Sequence, residues 1–388
     1  MKKKILFIIS SFESGGVSKS MSSLLNVVDT SLYDVDCFVL NPSGVFLSSI
    51  PSSITMISDE RTSLLFSKFP QNLIFLAKKG WFWDAFIRVL VAFFMTFNKG
   101  IGGWLLSRRI YRIPKRYDLA VDYNGQHQLY YLIDYVEATK KVTFFHSDYE
   151  KWPYYYSMDC KYFPLVNQIF TISDQCVSSL KKFFPAQESK IDLFENISSI
   201  QQIQEMTNQS ISDPLDTSIL SFITIGHLSP NKGTDLAFEV AHLLKKKGIS
   251  FKWYFLGENQ DKATYNQLKK DYNIEDCIVE LGVKANPYPY IKQATIVVHL
   301  SKFEGKSIAL DEAKILCKPI VVTNFSTVND QFQNGYNASI VSFNAHEIAE
   351  TLLKLVNTPS LQQQYSQNLR NDCKDNSNEI EKLYHLIN

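Results

Sequence analysis

The chain has 388 residues, 45% of them hydrophobic and 20% charged, with a formal net charge of +1. This marks a normally folded protein, too long for one ordinary core and suited to two domains. Six scattered cysteines, Cys37, Cys160, Cys176, Cys277, Cys317 and Cys373, form no C-x-x-C pair, which fits reduced thiols better than a disulfide framework or zinc site.

The start, Met1 followed by three lysines and the apolar run 5–9, superficially resembles a signal peptide. Its apolar run is too short, and Glu13 and Gly15-Gly16 stand where a small-residue cleavage site would be, so 5–9 reads as a first buried strand. Further continuous apolar runs at 35–40, 119–123, 142–145 and 169–172 alternate with helical patterns, as in a parallel sheet covered on both faces. A helix is predicted from Val17, with Val17, Met21, Leu24, Leu25 and Val28 on one face. After a polar stretch at 196–217 the alternation begins again. Strands are predicted at 219–225, 251–256, 295–300, 320–323 and 339–341, a helix at 235–247, and closing helices after Ala345. The reading is two doubly wound α/β domains joined near residue 200, with no stretch reaching the roughly 18 apolar residues of a membrane span.

Several segments could carry chemistry. Ser11-Phe-Glu-Ser-Gly-Gly-Val17 lies between first strand and first helix, a ligand loop or a plain tight turn. At the matching place in the second half, 226–233 carries Lys232 between two glycines; the lysine could reach a phosphate or lie solvated in a turn. His146 ends a buried strand, where open α/β sheets place ligands, and could orient a substrate or carry a proton; a structural histidine is the commoner outcome. Asn286-Pro-Tyr-Pro-Tyr290 could wall a base pocket or form a rigid loop. Asp34-Val35-Asp36 matches a metal-holding D-x-D but begins a strand where such a motif would end one. No catalytic Ser-His-Asp order, P-loop or nucleic-acid motif is present.

The most informative segment runs from Phe303 to Cys317, with carboxylates at Glu304 and Glu312. On a helical wheel Ser307, Asp311, Lys314 and Lys318 share a polar arc, whereas Glu312 falls on the apolar face between Ile308 and Leu316. A carboxylate there must find donors or bear a desolvation cost of several kcal/mol. Glu304 stands just before the helix, where free amides and the dipole attract an anion. The pattern suits a ligand with hydroxyls and phosphate, or a surface acid plus a paired core carboxylate.

Taken together, Gly15-Gly16, His146, 226–233 and the E-x7-E from Glu304 to Glu312 resemble the retaining glycosyltransferases of family 4, in particular those that build capsule, O-antigen or exopolysaccharide. The resemblance implies a GT-B fold, two Rossmann-like domains facing a central cleft, with boundaries at 1–196, 197–370 and a closing helix at 371–388 that packs back on the first domain. It implies a hexose-type transfer from a UDP- or GDP-sugar to a lipid-linked or growing polysaccharide, by front-face displacement and without a metal or other cofactor. Glu304 would contact donor-sugar hydroxyls, Lys232 the diphosphate and His146 the sugar. The amides of Gly305, Lys306, Ser307 and Ile308 would meet sugar and diphosphate, Glu312 the ribose, and Gly15 and Gly16 the phosphates. His227 stands where the family usually has Arg, and Lys306 at an often apolar position; Lys306 is expected to supply part of the missing charge. Nucleotide-sugar 2-epimerases share this fold, and a non-catalytic partner subunit is a third reading.

Cations at Lys78, Lys79, Arg88, Lys99, Arg108, Arg109, Arg112, Lys115 and Arg116 alternate with Trp81, Phe82, Trp83, Phe86, Phe93, Phe94, Phe97 and Trp104, and Asp84 is the stretch's one acid. That mixture predicts peripheral contact of 78–116 with an anionic membrane surface rather than nucleic acid, on the cytoplasmic side if the acceptor is lipid-linked.

Overall fold

The computed structural model describes residues 2–13 and 15–388; Ser14 of the first glycine loop lies outside them. The described residues form two compact units, Met1–Ile197 with Ser377–Asn388, and Ser198–Asn376. The second boundary thus falls after 376, not 370. The closing segment is a tight turn at Ser377–Ile380 and a short helix at Glu381–Tyr384 rather than one helix from 371.

Unit 1 is built on a parallel sheet of β1 (Lys3–Ile9), β2 (Tyr33–Val39), β3 (Thr55–Ile57), β4 (Tyr117–Asp122), β5 (Ala138–Phe145), β6 (Gln168–Thr171) and β7 (Ile191–Leu193), in the order β3-β2-β1-β4-β5-β6-β7. The continuous apolar runs are its central strands because both faces are covered. Phe7, Ile9, Val121 and Phe144 pack to one side with helix Gly16–Val27, and Leu6, Ile8, Phe38 and Ala120 to the other. The closing segment completes the first of these layers: Leu383 is fully buried there, Tyr384 stacks on Tyr33 at 4.3 Å, and its hydroxyl accepts the Asp29 N–H at 2.9 Å.

Unit 2 repeats the plan with β8 (Leu220–Ile225), β9 (Phe251–Leu256), β10 (Ile278–Glu280), β11 (Ile296–His299), β12 (Ile320–Thr323) and β13 (Ser339–Val341), ordered β10-β9-β8-β11-β12-β13. Strand order reverses between β1 and β4 in unit 1 and between β8 and β11 in unit 2. At such a switch point the loops leaving two neighbouring strands diverge and open a crevice at their carboxyl ends. No helix among the described residues is long and apolar enough to cross a membrane.

Candidate active site

In unit 2 the two loops at the switch point converge. β8 and β11 are paired, Phe222 opposite Ile296, so the loop after β8 and the loop after β11 emerge side by side. Gly233 has φ +69° and a β-carbon there would fall 2.1 Å from the Leu300 carbonyl oxygen, so only glycine permits this approach. Two further bonds fasten the loops: Lys302 N–H to the Asn231 carbonyl at 2.8 Å, and Asn231 Nδ2 to the Phe303 carbonyl at 3.4 Å. Lys232 then runs over Gly226, where a β-carbon would touch its stem at 3.5 Å, and its ammonium reaches Glu304 Oε1 at 2.5 Å.

Glu304 Oε1 receives two more donors, His299 Nε2 at 2.9 Å and Ser301 Oγ at 2.7 Å, while Thr327 Oγ1 binds its backbone carbonyl at 3.1 Å. Its other oxygen, Oε2, receives no hydrogen bond among the described residues. Burial alone would raise this carboxyl; the Lys232 charge and the His299 bond outweigh it and bring it down to about 2. Burial also pushes His299 below its usual value despite the Glu304 bond, so near neutral pH it is a neutral imidazole donating its Nε2 hydrogen. The result is a fixed carboxylate with one oxygen anchored and one left to accept hydroxyls.

The helix after this loop is Ile308–Ile315 with Ser307 at its N-cap. Gln331 clamps that cap: its Oε1 accepts the Ser307 N–H at 3.1 Å, and its Nε2 donates to the Ser307 carbonyl at 2.9 Å and to Asp311 Oδ1 at 2.8 Å. The amide row expected to meet a ligand is therefore interrupted, because the Ser307 N–H is already bound within the protein. Gly305 and Ile308 are buried and Lys306 is half-buried beside it. Glu312 is 2% exposed and accepts the Tyr288 hydroxyl at 3.1 Å. Burial and the Glu312 charge in turn hold the Tyr288 phenol well above its usual value. Tyr288 is thus a donor that an acid on the apolar face requires. Its neighbours are bound within the same unit, Tyr290 to Asp213 at 2.5 Å and Asn286 to the Met206 carbonyl at 2.8 Å. His227 lies half-buried in the Lys232 loop, its Nδ1 enclosed without a partner.

In unit 1, Gly15 caps helix Gly16–Val27, the space a β-carbon at Gly15 would take is empty, and Gly16 is exposed. His146 leaves β5 with its ring against Phe144 at 5.7 Å and Tyr123 at 4.7 Å. Burial lowers it to about 4, offset only in part by a bond to the Tyr123 backbone. Its Nε2 is enclosed without a hydrogen-bond partner. Tyr123 joins the two motifs, since its hydroxyl meets Ser20 Oγ of the glycine-loop helix at 2.6 Å and Ser20 donates to Asn196 at 2.7 Å. The D-x-D acid Asp36 serves the sheet instead, binding Lys115 at 2.7 Å and Tyr117 at 2.6 Å. Among the described residues no group of three or more metal-ligating side chains assembles.

His299, Ser301 and Gln331 are site residues that sequence reading passed over. The first two lie three to five residues before Glu304 at the end of a predicted strand, a detectable position; Gln331, beyond the next strand, carries no local signal.

Residues 208–372 match the family model of glycosyl transferases group 1. The chain is 30% identical over 174 residues to a poly(ribitol-phosphate) alpha-N-acetylglucosaminyltransferase of Staphylococcus aureus, covering 42% of this chain and 35% of that protein. It is 25% identical over 145 residues to the amylovoran biosynthesis glycosyltransferase AmsK of Erwinia amylovora, covering 35% of this chain and 36% of that one. The matches span about a third of these relatives. Over whole chains the fold matches that of Anabaena HepE in complex with UDP and glucose, TM-score 0.68, 14% identity, 99% of this chain and 98% of that one. It also matches that of a Staphylococcus aureus TarM variant in complex with Fondaparinux, alpha-GlcNAc-glycerol and UDP, TM-score 0.68, 14% identity, 100% of both. The chain has the GT-B fold, and its second unit carries the match to glycosyl transferases group 1.

Proposed function

We propose that the protein is a retaining glycosyltransferase moving a hexose-type sugar from a nucleotide-sugar donor to a lipid-linked or growing surface polysaccharide. The observation that carries this reading is the Lys232–Glu304 pair at the switch point of unit 2, with one carboxylate oxygen anchored and the other open. Held near 2, Glu304 cannot donate a proton at working pH and serves as an acceptor for sugar hydroxyls. Lys232, rather than a metal ion, faces the donor diphosphate. As the bond from anomeric carbon to phosphate oxygen breaks and that from anomeric carbon to acceptor oxygen forms on the same face, the acceptor proton passes to the diphosphate. Lys232 stabilises the charge that develops there. Glu312 holds the ribose. The nucleotides named with HepE and TarM, and the amylovoran role named for AmsK, support the donor class and a polysaccharide product.

Glu304→Gln keeps the shape but removes the charge that holds Lys232, and kcat/KM is expected to fall roughly 100- to 1,000-fold. A panel of UDP- and GDP-sugars read by mass spectrometry for released nucleotide and glycosylated product measures this. Wild-type rates in the variant would overturn the assignment, and an epimerised free sugar without transfer would move the protein to the nucleotide-sugar 2-epimerases.

The acceptor side is proposed to work at a membrane surface, through apolar contact together with charge. Three cations of the stretch are paired with acids: Arg109 lies 2.8 Å from Asp84, which also binds Arg61 at 3.1 Å, Lys79 pairs with Glu60 at 2.6 Å, and Lys115 with Asp36 at 2.7 Å.

A further inference from the structure

Helix Phe82–Phe97 is amphipathic the wrong way round for a soluble domain. At about 100° per residue, Phe82, Phe86, Val89, Phe93 and Phe97 fall within one narrow arc, and all five are exposed, Phe82, Phe93 and Phe97 at 69%, 57% and 76%. Trp83, at the edge of the arc, is 61% exposed. The opposite side carries buried Val91 and Asp84, the latter bound to Arg61 and Arg109. The acid faces the protein and the phenylalanines face outward.

This face continues onto the end of unit 1 that holds His146. Helix Lys99–Ser107 is packed so closely at Gly100 that a β-carbon there would lie 2.6 Å from Met158 Cγ, and a β-carbon at Gly103 would be in ordinary contact with the His127 amide at 3.7 Å. His127 opens the helix that follows β4, which places these elements at the carboxyl end of the sheet. Lys99 lies over Tyr154 at 4.0 Å and Trp152 at 5.6 Å, both exposed and both on the loop that begins with His146. Phenylalanines at the centre, with tryptophan, tyrosine and lysine around them, are the ordering found at a lipid interface, where long cations reach the headgroups.

We propose that this carboxyl-end rim of unit 1 lies in the lipid interface through the apolar arc of helix Phe82–Phe97 and Trp152 and Tyr154, and that the acceptor is therefore a lipid-anchored glycan met at headgroup depth. Charge favours lipid over a second copy. The acids of this region are turned in or paired, Asp84 with Arg109, Glu60 with Lys79 and Glu150 with Lys182. A two-fold dimer would set Lys99 and its neighbouring cations against themselves, whereas lipid phosphates complement them. Only the acceptor class rests on the glycosyltransferase reading.

The test uses the full chain with phosphatidylcholine vesicles, with and without phosphatidylglycerol. Flotation is expected on both, stronger with the anionic lipid, and Phe93→Asp with Phe97→Asp should weaken it more than about tenfold at an unchanged melting temperature. In single-tryptophan proteins, brominated lipid should quench Trp83 and Trp152 but not Trp253, which is buried in unit 2. No flotation, flotation indifferent to the aspartates, or a dimer in sedimentation that the aspartates disperse would each overturn the proposal. For the acceptor, the aspartate pair should lower transfer to an isoprenoid-diphosphate-linked sugar in vesicles while donor hydrolysis stays at the wild-type rate; equal loss of both would overturn the acceptor assignment. A wild type that neither transfers nor hydrolyses would count against the enzyme reading and leave the flotation result standing.

Discussion

Gln331 shows how one side chain sets the shape of the site. Its amide takes both the N–H and the carbonyl of Ser307 and a third bond to Asp311, all around a buried helix start. Gln331→Met keeps the volume but leaves buried backbone groups without partners, which costs on the order of 2 kcal/mol. Because the clamp holds the residues next to Glu304, donor binding should weaken several-fold as well. Denaturant midpoints and donor calorimetry check both, and an unchanged donor affinity would reduce Gln331 to a purely structural role. The Glu304–Glu312 spacing was legible because the wheel put an acid on the apolar face, which demands a donor. That Tyr288 is such a donor, and that Ser307 is already occupied, was not legible: both depend on partners 20 or more residues away along the chain.

At the scale of elements, long buried strands announce themselves, whereas of the three-residue edge strands only β13 was legible. β3, β7 and β10 have three residues each and border their sheets, so their composition is mixed and no continuous apolar run marks them. The stretch around helix Phe82–Phe97 shows the complementary limit, since its composition named cations and aromatics but not which of them turn inward. The end of β4 makes a prediction at this scale. Asp122 is fully buried; burial raises its carboxyl to about 7, although Thr143 Oγ1 at 2.6 Å and the amides of Asn124 and Gly125 partly oppose this. A folded value above the unfolded one means that the folded state holds the extra proton. Asp122 therefore favours folding most below about pH 4, and this contribution is lost as pH rises to about 7. The melting temperature of wild type relative to Asp122→Asn should fall across that window and level off above it. A pH-independent difference in paired thermal melts would show that Asp122 does not titrate there.

At the scale of the whole molecule, the two-domain reading and the chain's return to unit 1 were legible from alternation and from the family resemblance. The return point was not, because the helix that precedes it, Pro359–Asp372, belongs to unit 2. Leu383→Ala, at a fully buried position, should cost about 2 to 5 kcal/mol, and the loss should fall on unit 1. Calorimetry that resolves two transitions should show one lowered and the other fixed; equal shifts in both would mean that the units unfold as one. The returning segment also orders events during synthesis. Unit 2 is contiguous from Ser198 to Asn376, whereas unit 1 takes part of its innermost layer from Ile380, Leu383, Tyr384 and Ile387. On the ribosome the domain that is begun first is thus the last to be sealed, and its unfinished flank stays apolar and uncovered until the intervening domain has been translated.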